Sequence, residues 1–288
     1  MMIDMFGKKR YKLGLHQHST RSDGALTPAE VATLYREAGY DAITLNDHWV
    51  YSGPEVLEGL PIFSGAEYHV GYREAGEGIY HIISLFTERE PQLVREEATV
   101  QGIIDAIHEA GGLAVLGHPA WSLNTPDRVR LLKNVDATEI YNTVSYTVGR
   151  EDSSVLVDMF AMNGQLFPLI AADDFHRTTA IPHPVSAIMV ESESLDAASL
   201  KSAIREGRFY ATQGPEIHLK REGNTVKVYC SPASKILFYS NIVVSANRLQ
   251  MGEGLTEATY QLNENEHYVR AEVVDAEGRR AFSNFLTI

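Results

Sequence analysis

Two histidines one residue apart, His16 and His18, precede Asp23 in the stretch HQHSTRSDG. Side chains at i and i+2 share one face of a strand. Both imidazoles can therefore grip one cation while the carboxylate just downstream reaches a second. Further donors follow: His48 in ITLNDH, Glu67 in FSGAE, His81 opening HIISLF, His118 in AVLGHP, and Asp174 and His176 in LIAADDFH. All are imidazole or carboxylate groups, a set that suits zinc, manganese or iron without choosing among them. They are too many for one cation and enough for two or three. Glu67 and Asp174 can bridge.

These donors meet only if the elements that carry them converge. Candidate strands lie at 12–16, 42–46, 61–64, 79–86, 113–117, 137–141, 166–171 and 185–190, and candidate helices at 28–38, 100–110, 126–133, 150–162 and 195–206. Thr27-Pro28-Ala29-Glu30 is a helix start, with Thr27 as N-cap, Pro28 at the first helical position and Glu30 at the third. Alternating strands and helices predict an α/β architecture with a largely parallel sheet. In a closed parallel sheet the C-terminal strand ends share one mouth, where residues distant in sequence meet.

Beyond Pro215 the pattern changes to strands and turns. Candidate strands lie at 216–220, 226–231, 235–240, 268–274 and 281–288, with turn signals in EGN (222–224) and DAEG (275–278). This predicts a boundary near Gly214. Residues 1–212 would form the α/β unit and 213–288 a small β-sandwich-like domain.

The length of 288 residues allows two domains or one large barrel. Net charge is −13. Residues 213–288 carry 8 Lys/Arg and 9 Asp/Glu, so the acidic excess sits in residues 1–212. No basic stripe is present, which argues against a long nucleic acid as partner. A small phosphorylated substrate fits if bound cations supply local positive charge. Cys230 is the one cysteine, so neither a disulfide nor a cysteine zinc cluster forms within the chain, in keeping with a reducing, cytoplasmic setting. MMIDMFGKKRY has no apolar stretch of the secretory kind, and no run of 18 apolar residues predicts a membrane helix. Oligomeric state has no signature in the chain.

The order His-x-His, Asp, His, Glu, His, His, Asp-x-His resembles that of the PHP family, the polymerase and histidinol phosphatase superfamily of metal-dependent phosphoesterases. HQH, SDG, DH, GAE, HII, GHP and DFH supply the steps, over roughly the first 210 residues. The resemblance implies a distorted (β/α)7, TIM-like barrel with a trinuclear site at its mouth. It implies one metal held by His16, His18, Glu67 and Asp174, a second by Asp23, His48 and His176, and a third completed by Glu67, His81 and His118. IREGRFYATQGP (204–215) is similar to the junction of stand-alone members. YVRAEVVDAEGRRAFSN (268–284) is similar to the small β-domain that follows it, with Phe282 where a tryptophan is expected.

The chemistry so implied is attack on a phosphate ester by a metal-activated water, with a further cation neutralising charge. The leaving alcohol needs a proton, for which Asp173, His183 and His69 are candidates. Arg177, next to the last donor, and Arg21 with Ser22 could clamp phosphate oxygens. The plainer role of each is a surface arginine. Trp121 could stack on a base or sugar, or simply pack under a loop. Asn142, in EIYN, resembles a position near the family's site, and its plainer role is a turn cap. Asp47 reads as a group that orients a ligand imidazole. His108, His218, His267 and Cys230 read as structural. The leading function is thus a phosphoesterase acting on a small phosphorylated metabolite, nucleotide or short oligonucleotide. One alternative is an amidohydrolase, which shares His-x-His and the barrel but fits the early Glu67 and late Asp174-Phe175-His176 less well. The other is a non-catalytic, metal-stabilised barrel with a binding β-domain.

Overall fold

The computed structural model describes residues 1–71, 78–177 and 184–288. His183 lies outside the described residues. Strand β1 (Met2–Ile3) folds back antiparallel on β2 (Lys9–Gly14). Helix α1 (Pro28–Glu37) then starts with a reciprocal cap: the Glu30 N–H donates to Thr27 Oγ1, and the Thr27 N–H donates to the Glu30 carboxylate. It buries Val31, Ala32 and Tyr35 and delivers the chain to β3 (Ala42–Thr44), parallel to β2. The hairpin of β4 (Glu55–Leu57) and β5 (Leu60–Phe63) places β5 parallel to β3.

A second sheet begins with β6 (Gly65–Val70), which pairs antiparallel with β7 (Tyr80–Leu85). Helix α2 (Val100–Glu109) leads to β8 (Leu113–Leu116), antiparallel to β7. The short helices α3 (Pro119–Ser122) and α4 (Pro126–Val129) precede β9 (Ala137–Asn142), and α5 (Ser154–Met162) precedes β10 (Leu169–Ala172). Strands β8, β9 and β10 are parallel. Then β11 (Ala187–Glu191), α6 (Ala197–Arg205) and β12 (Phe209–Thr212) return to the first sheet, where β11 is antiparallel to both β2 and β12. Isolated parallel bridges, His48–Glu67 and Gln17–Phe175, join the two sheets at the donor-bearing strand ends. Leu13, Leu15, Ile82, Ile83, Val115, Ile140 and Leu169 form part of the core between them.

The architecture is mixed α/β, but less parallel than the sequence pattern predicts. Strands β7 and β11 run against their neighbours. Only a short connection separates β6 from β7. A connection of that length permits antiparallel pairing, whereas a parallel pair needs a crossover.

The remaining strands are β13 (Ile217–Glu222), β14 (Thr225–Ser240), β15 (Leu249–Gln261), β16 (Tyr268–Val274), β17 (Arg280–Phe282) and β18 (Leu286–Thr287). The candidate strands 226–231 and 235–240 are one long strand, β14, whose register shifts between Tyr229 and Lys235. Strand β15 has no alternating pattern to betray it, because its first residues are nearly all exposed and include Gly252 and Gly254. The C-terminal strands continue the first sheet. Strand β17 pairs with β12, and 13 strands share that sheet. A second core of Val228, Ile236, Phe238, Tyr260 and Val273 takes in Met189 and Tyr210 from the preceding strands.

A fully buried arginine ties the C-terminal strands to α5. Arg270 Nε and Nη2 donate to Asp158 Oδ1 and Oδ2, both at 2.7 Å, and its guanidinium stacks on Tyr239 at 4.0 Å. Asp158→Ala strands that buried charge. We expect a loss of about 3 kcal/mol, the low end for a broken buried pair because Asp158 is half-buried. Urea unfolding of the variant measures it.

Candidate metal centre

The donors gather at the joined sheet ends: most follow a strand or sit in the loop beyond it, Glu67 lies within β6, and His81 lies near the start of β7. His16 and His18 follow β2, and the loop beyond them folds back to present Asp23. Gly24 makes this possible, since a Cβ there would lie 2.6 Å from the His18 carbonyl carbon and the Ser19 nitrogen. Asp47 pins the same loop. It accepts from the Ser19 N–H and Oγ at 2.8 Å and from the Ser22 N–H and Oγ at 3.1 and 2.8 Å. Asp47 thus orients the Asp23 loop, not an imidazole as the sequence reading has it. Gly24→Ala displaces Asp23, and we expect roughly 10- to 100-fold weaker metal binding by calorimetry, the usual cost of disturbing a ligand's support.

His81 lies near the start of its strand, whereas His16, His18, His48, His118 and Asp174 lie beyond the ends of theirs. The reversed direction of β7 explains this, because it places the start of β7 beside the end of β6, with His81 opposite His69. His118 and Asp174 hold backbone φ of 24° and 51°. Such conformations cost about 1–3 kcal/mol each outside glycine and gather at functional sites.

Glu67 is the hub. Its Oε1 lies 2.6 Å from His81 Nδ1, 3.3 Å from His118 Nε2 and 3.5 Å from His16 Nε2. Its Oε2 lies 3.0 Å from His48 Nδ1 and 3.3 Å from His18 Nε2. Asp174 Oδ1 lies 3.1, 3.3 and 3.4 Å from His18, His16 and His176. Asp23 lies 3.4, 3.5 and 3.6 Å from His176, His18 and His48. The donor atoms form four overlapping groups: His18, Asp23, His48 and His176; His16, His18 and Asp174; His16, Glu67 and His118; His48, Glu67 and His81. His18 Nδ1, His48 Nδ1, His81 Nε2 and Asp174 Oδ1 are buried without a hydrogen bond. Buried polar atoms left so are costly. Divalent cations would satisfy all four.

Electrostatics follow from the packing. Burial opposes ionisation of Glu67, but His81 and His16 outweigh it and hold the carboxyl well below its usual range. Asp174 behaves alike, with His16 and His176 outweighing burial. Burial also opposes charge on the imidazoles, yet facing carboxylates raise His16, His18, His48, His118 and His176. His69 goes the other way, down to about 4, through burial and the nearby His81, His48 and Arg95.

A supporting layer lies beneath. Glu139, fully buried in β9, has Oε1 2.7 Å from His16 Nδ1, while its Oε2 accepts from the His118 N–H and Asn142 Nδ2, both at 2.8 Å. A proton on His16 Nδ1 leaves Nε2 bare toward Asp174 and Glu67, the usual arrangement behind a metal-binding histidine. Asn142 also donates to Asp174 Oδ2 at 3.2 Å. It braces the donors and does not line the cavity above them. Glu139 escapes the sequence reading, although an acid inside the apolar strand ATEIYN is itself a signal.

The cavity over the donors has a volume of about 830 Å³, and Ser22, His69, Arg95, Trp121, Thr147 and Arg177 are among its walls. Trp121 packs edge-to-face on His118 and His81, at 5.1 and 5.5 Å. Arg21 does not line it and donates instead to Ser52 at 2.8 Å and Glu55 at 3.1 Å. Asp173 is buried off the cavity and accepts from Tyr35 at 2.9 Å, Thr143 at 3.0 Å and the Ser186 N–H at 2.9 Å. Those bonds suit a structural acceptor rather than a proton donor. Another donor group, Asp4, Glu216 and His218, lies elsewhere, but Arg10 already pairs with Asp4 at 2.6 Å. No helix among the described residues is long and apolar enough to cross a membrane.

Neither a family model nor a curated protein matches the chain. Solved structures do. Endonuclease Q from Pyrococcus furiosus, a lesion-specific endonuclease, is 16% identical over 69% of this chain and 56% of its own, with a TM-score of 0.45. Endonuclease Q in complex with a 27-mer duplex substrate, an abasic lesion at the active site, is 15% identical over 69% and 57%, with a TM-score of 0.48. That complex overturns the expectation that excludes long nucleic acid. Net charge is a poor criterion where bound cations supply positive charge locally. A two-domain protein from Bacteroides vulgatus, containing a predicted PHP-like metal-dependent phosphoesterase, is similar over 100% of this chain and 97% of its own, at 16% identity and a TM-score of 0.55. Over its whole length, the chain has the fold of that two-domain, PHP-like protein.

Proposed function

We propose that this protein hydrolyses phosphate esters with two or three divalent cations, zinc, manganese or iron, held by His16, His18, Asp23, His48, Glu67, His81, His118, Asp174 and His176. One observation carries the reading: these donors converge, and four of their atoms are buried without a hydrogen bond. The bridges Gln17–Phe175 and His48–Glu67 support reading the seven strands β2, β3 and β6 to β10 as a distorted (β/α)7 barrel. We assign residues 1–212 to it and 213–288 to the β-unit. The single thiol, buried Cys230, supports a cytoplasmic setting.

When bound, the cations would acidify a water and draw charge from the phosphate oxygens. The chain's own groups do the rest. Glu67 offers one oxygen to each of two sets of imidazoles and so fixes their spacing. Glu139 holds His16 in one tautomer. Arg177 lines the cavity with no carboxylate partner among the described residues and would clamp a phosphate oxygen. Asp173 faces elsewhere and His69 Nε2 accepts from Arg95, which leaves solvent in the open cavity as a source of the leaving-group proton, beside His183 outside the described residues. The cavity volume supports a small phosphorylated metabolite, a nucleotide or a short oligonucleotide as substrate.

The test is phosphate release from an ester panel by manganese-loaded protein. Two or three metals per chain and turnover of at least one ester are expected. Hydrolysis of amides or lactones without phosphate release would overturn the reading. Chelation should also lower the melting temperature by roughly 5 °C for each metal removed, since each at a hundred times its dissociation constant contributes about 2.7 kcal/mol.

A further inference from the structure

Arg95 stands outside the donor cluster yet lines the same cavity. Its guanidinium lies over the Trp49 ring, 5.4 Å from the centroid, and Nη2 donates to His69 Nε2 at 3.1 Å. Trp49 is set for this by a left-handed backbone, φ 56°, and by edge-to-face packing on Tyr68 at 5.1 Å. A bulky residue in that conformation is an outlier that its surroundings must impose. A stacked, hydrogen-bonded guanidinium is already ordered before any ligand arrives. What it lacks is a counter-charge. The chain has 38 acidic against 25 basic residues, yet no carboxylate pairs with Arg95 among the described residues.

Its distance from the cluster says which anion it can meet. His69 stacks on His81 at 5.3 Å and meets His48 edge-on at 5.1 Å. Arg95 therefore lies one imidazole further out than two of the donors, while Arg177 directly follows the donor His176. A phosphate seated over the donors and an anion on Arg95 are different groups of one ligand.

We infer that Arg95, held by Trp49 and His69, forms a second anion subsite. The preferred substrate is then a phosphate ester whose alcohol part carries a further phosphate or carboxylate. The inference deepens the phosphoesterase reading and rests on it. Such a site selects esters by charge, and a guanidinium lacking its anion makes the singly anionic ester the poorer ligand.

Calorimetry on the manganese-loaded full chain tests this with ligands that cannot react. Methylphosphonate is compared with ω-carboxyalkylphosphonates from carboxyethyl to carboxypentyl. At the best length the carboxylate should tighten binding roughly ten-fold or more, the worth of one charge-assisted contact. Arg95→Ala should bring the two ligands to near equality. Arg95→Lys should restore part of the preference, because charge remains while stacking and the fork geometry are lost. No preference at any length in the natural protein, or an equal loss on both ligands in Arg95→Ala, overturns the second subsite. Turnover of the phosphate-ester panel is scored separately. Its absence on every ester sinks the phosphoesterase reading, whereas turnover without a carboxylate preference sinks only the role of Arg95.

Discussion

Glu67→Gln is expected to strip the protein of part of its metal and to lower kcat for phosphate-ester hydrolysis by at least about a thousand-fold. Single groups that stabilise developing charge are each worth about a hundred- to a thousand-fold, and Glu67 serves more than one cation position at once. Its two oxygens together approach five imidazoles within 3.5 Å. The amide keeps the volume, so packing alone does not account for the loss. It removes the negative charge and aims an NH2 at groups that need an acceptor. Metal analysis and kinetics on the same preparation decide the matter. A variant with its full metal content and near-natural turnover would remove Glu67 from the bridging role.

Glu139→Gln is expected to weaken metal binding roughly 10- to 100-fold, the range for groups that orient a ligand from behind. The carboxylate faces three donors: His16 Nδ1, the His118 N–H and Asn142 Nδ2. An amide has one acceptor oxygen, so at least one of them is left facing an NH2 in a fully buried site. Each buried polar group so stranded costs about 1–3 kcal/mol, and the fold carries that cost with or without metal. The two effects separate cleanly. Unfolding of the chelated protein reports the stranded donor, and metal calorimetry at a temperature where the variant is folded reports the misaligned His16. Unchanged metal affinity in a destabilised variant would leave Glu139 a purely structural acid.

Most of the nine candidate donors stand out in the sequence as polar residues beside an apolar run, as in AVLGHP and LIAADDFH. Supporting residues lack that contrast. Arg95 is hidden in EREPQLVREEA, where one more charge looks like solvent-facing surface. Arg21 and Arg177 look alike in sequence. What separates them is Glu55 on a distant hairpin, which engages Arg21 and leaves Arg177 to the cavity. Strand β6 was missed because Glu67 and His69 interrupt its apolar pattern, and its partners are set by tertiary pairing. Alternation of strands and helices read correctly as α/β, but strand direction is not written in local pattern. Neither is the continuity of the sheet into the C-terminal strands, which depends on a pairing between residues as distant as Ala211 and Phe282.

The reversed course of β7 has a further effect. Leu85 leaves the sheet at the end remote from the donor cluster, where the Phe86 N–H bonds to the Ser64 carbonyl and the Glu88 N–H to the Ala110 carbonyl. The chain must climb the outside of the molecule before α2 can begin, and the climb brings Arg95 to His69. That ascending segment carries none of the nine donors. Leu93 and Ala98 tie it to the main core, while Arg95 is exposed above it. On the subsite proposed above, the reversal thus sets the residue that would read the substrate on a stretch of chain separate from the strands that would hold the cations.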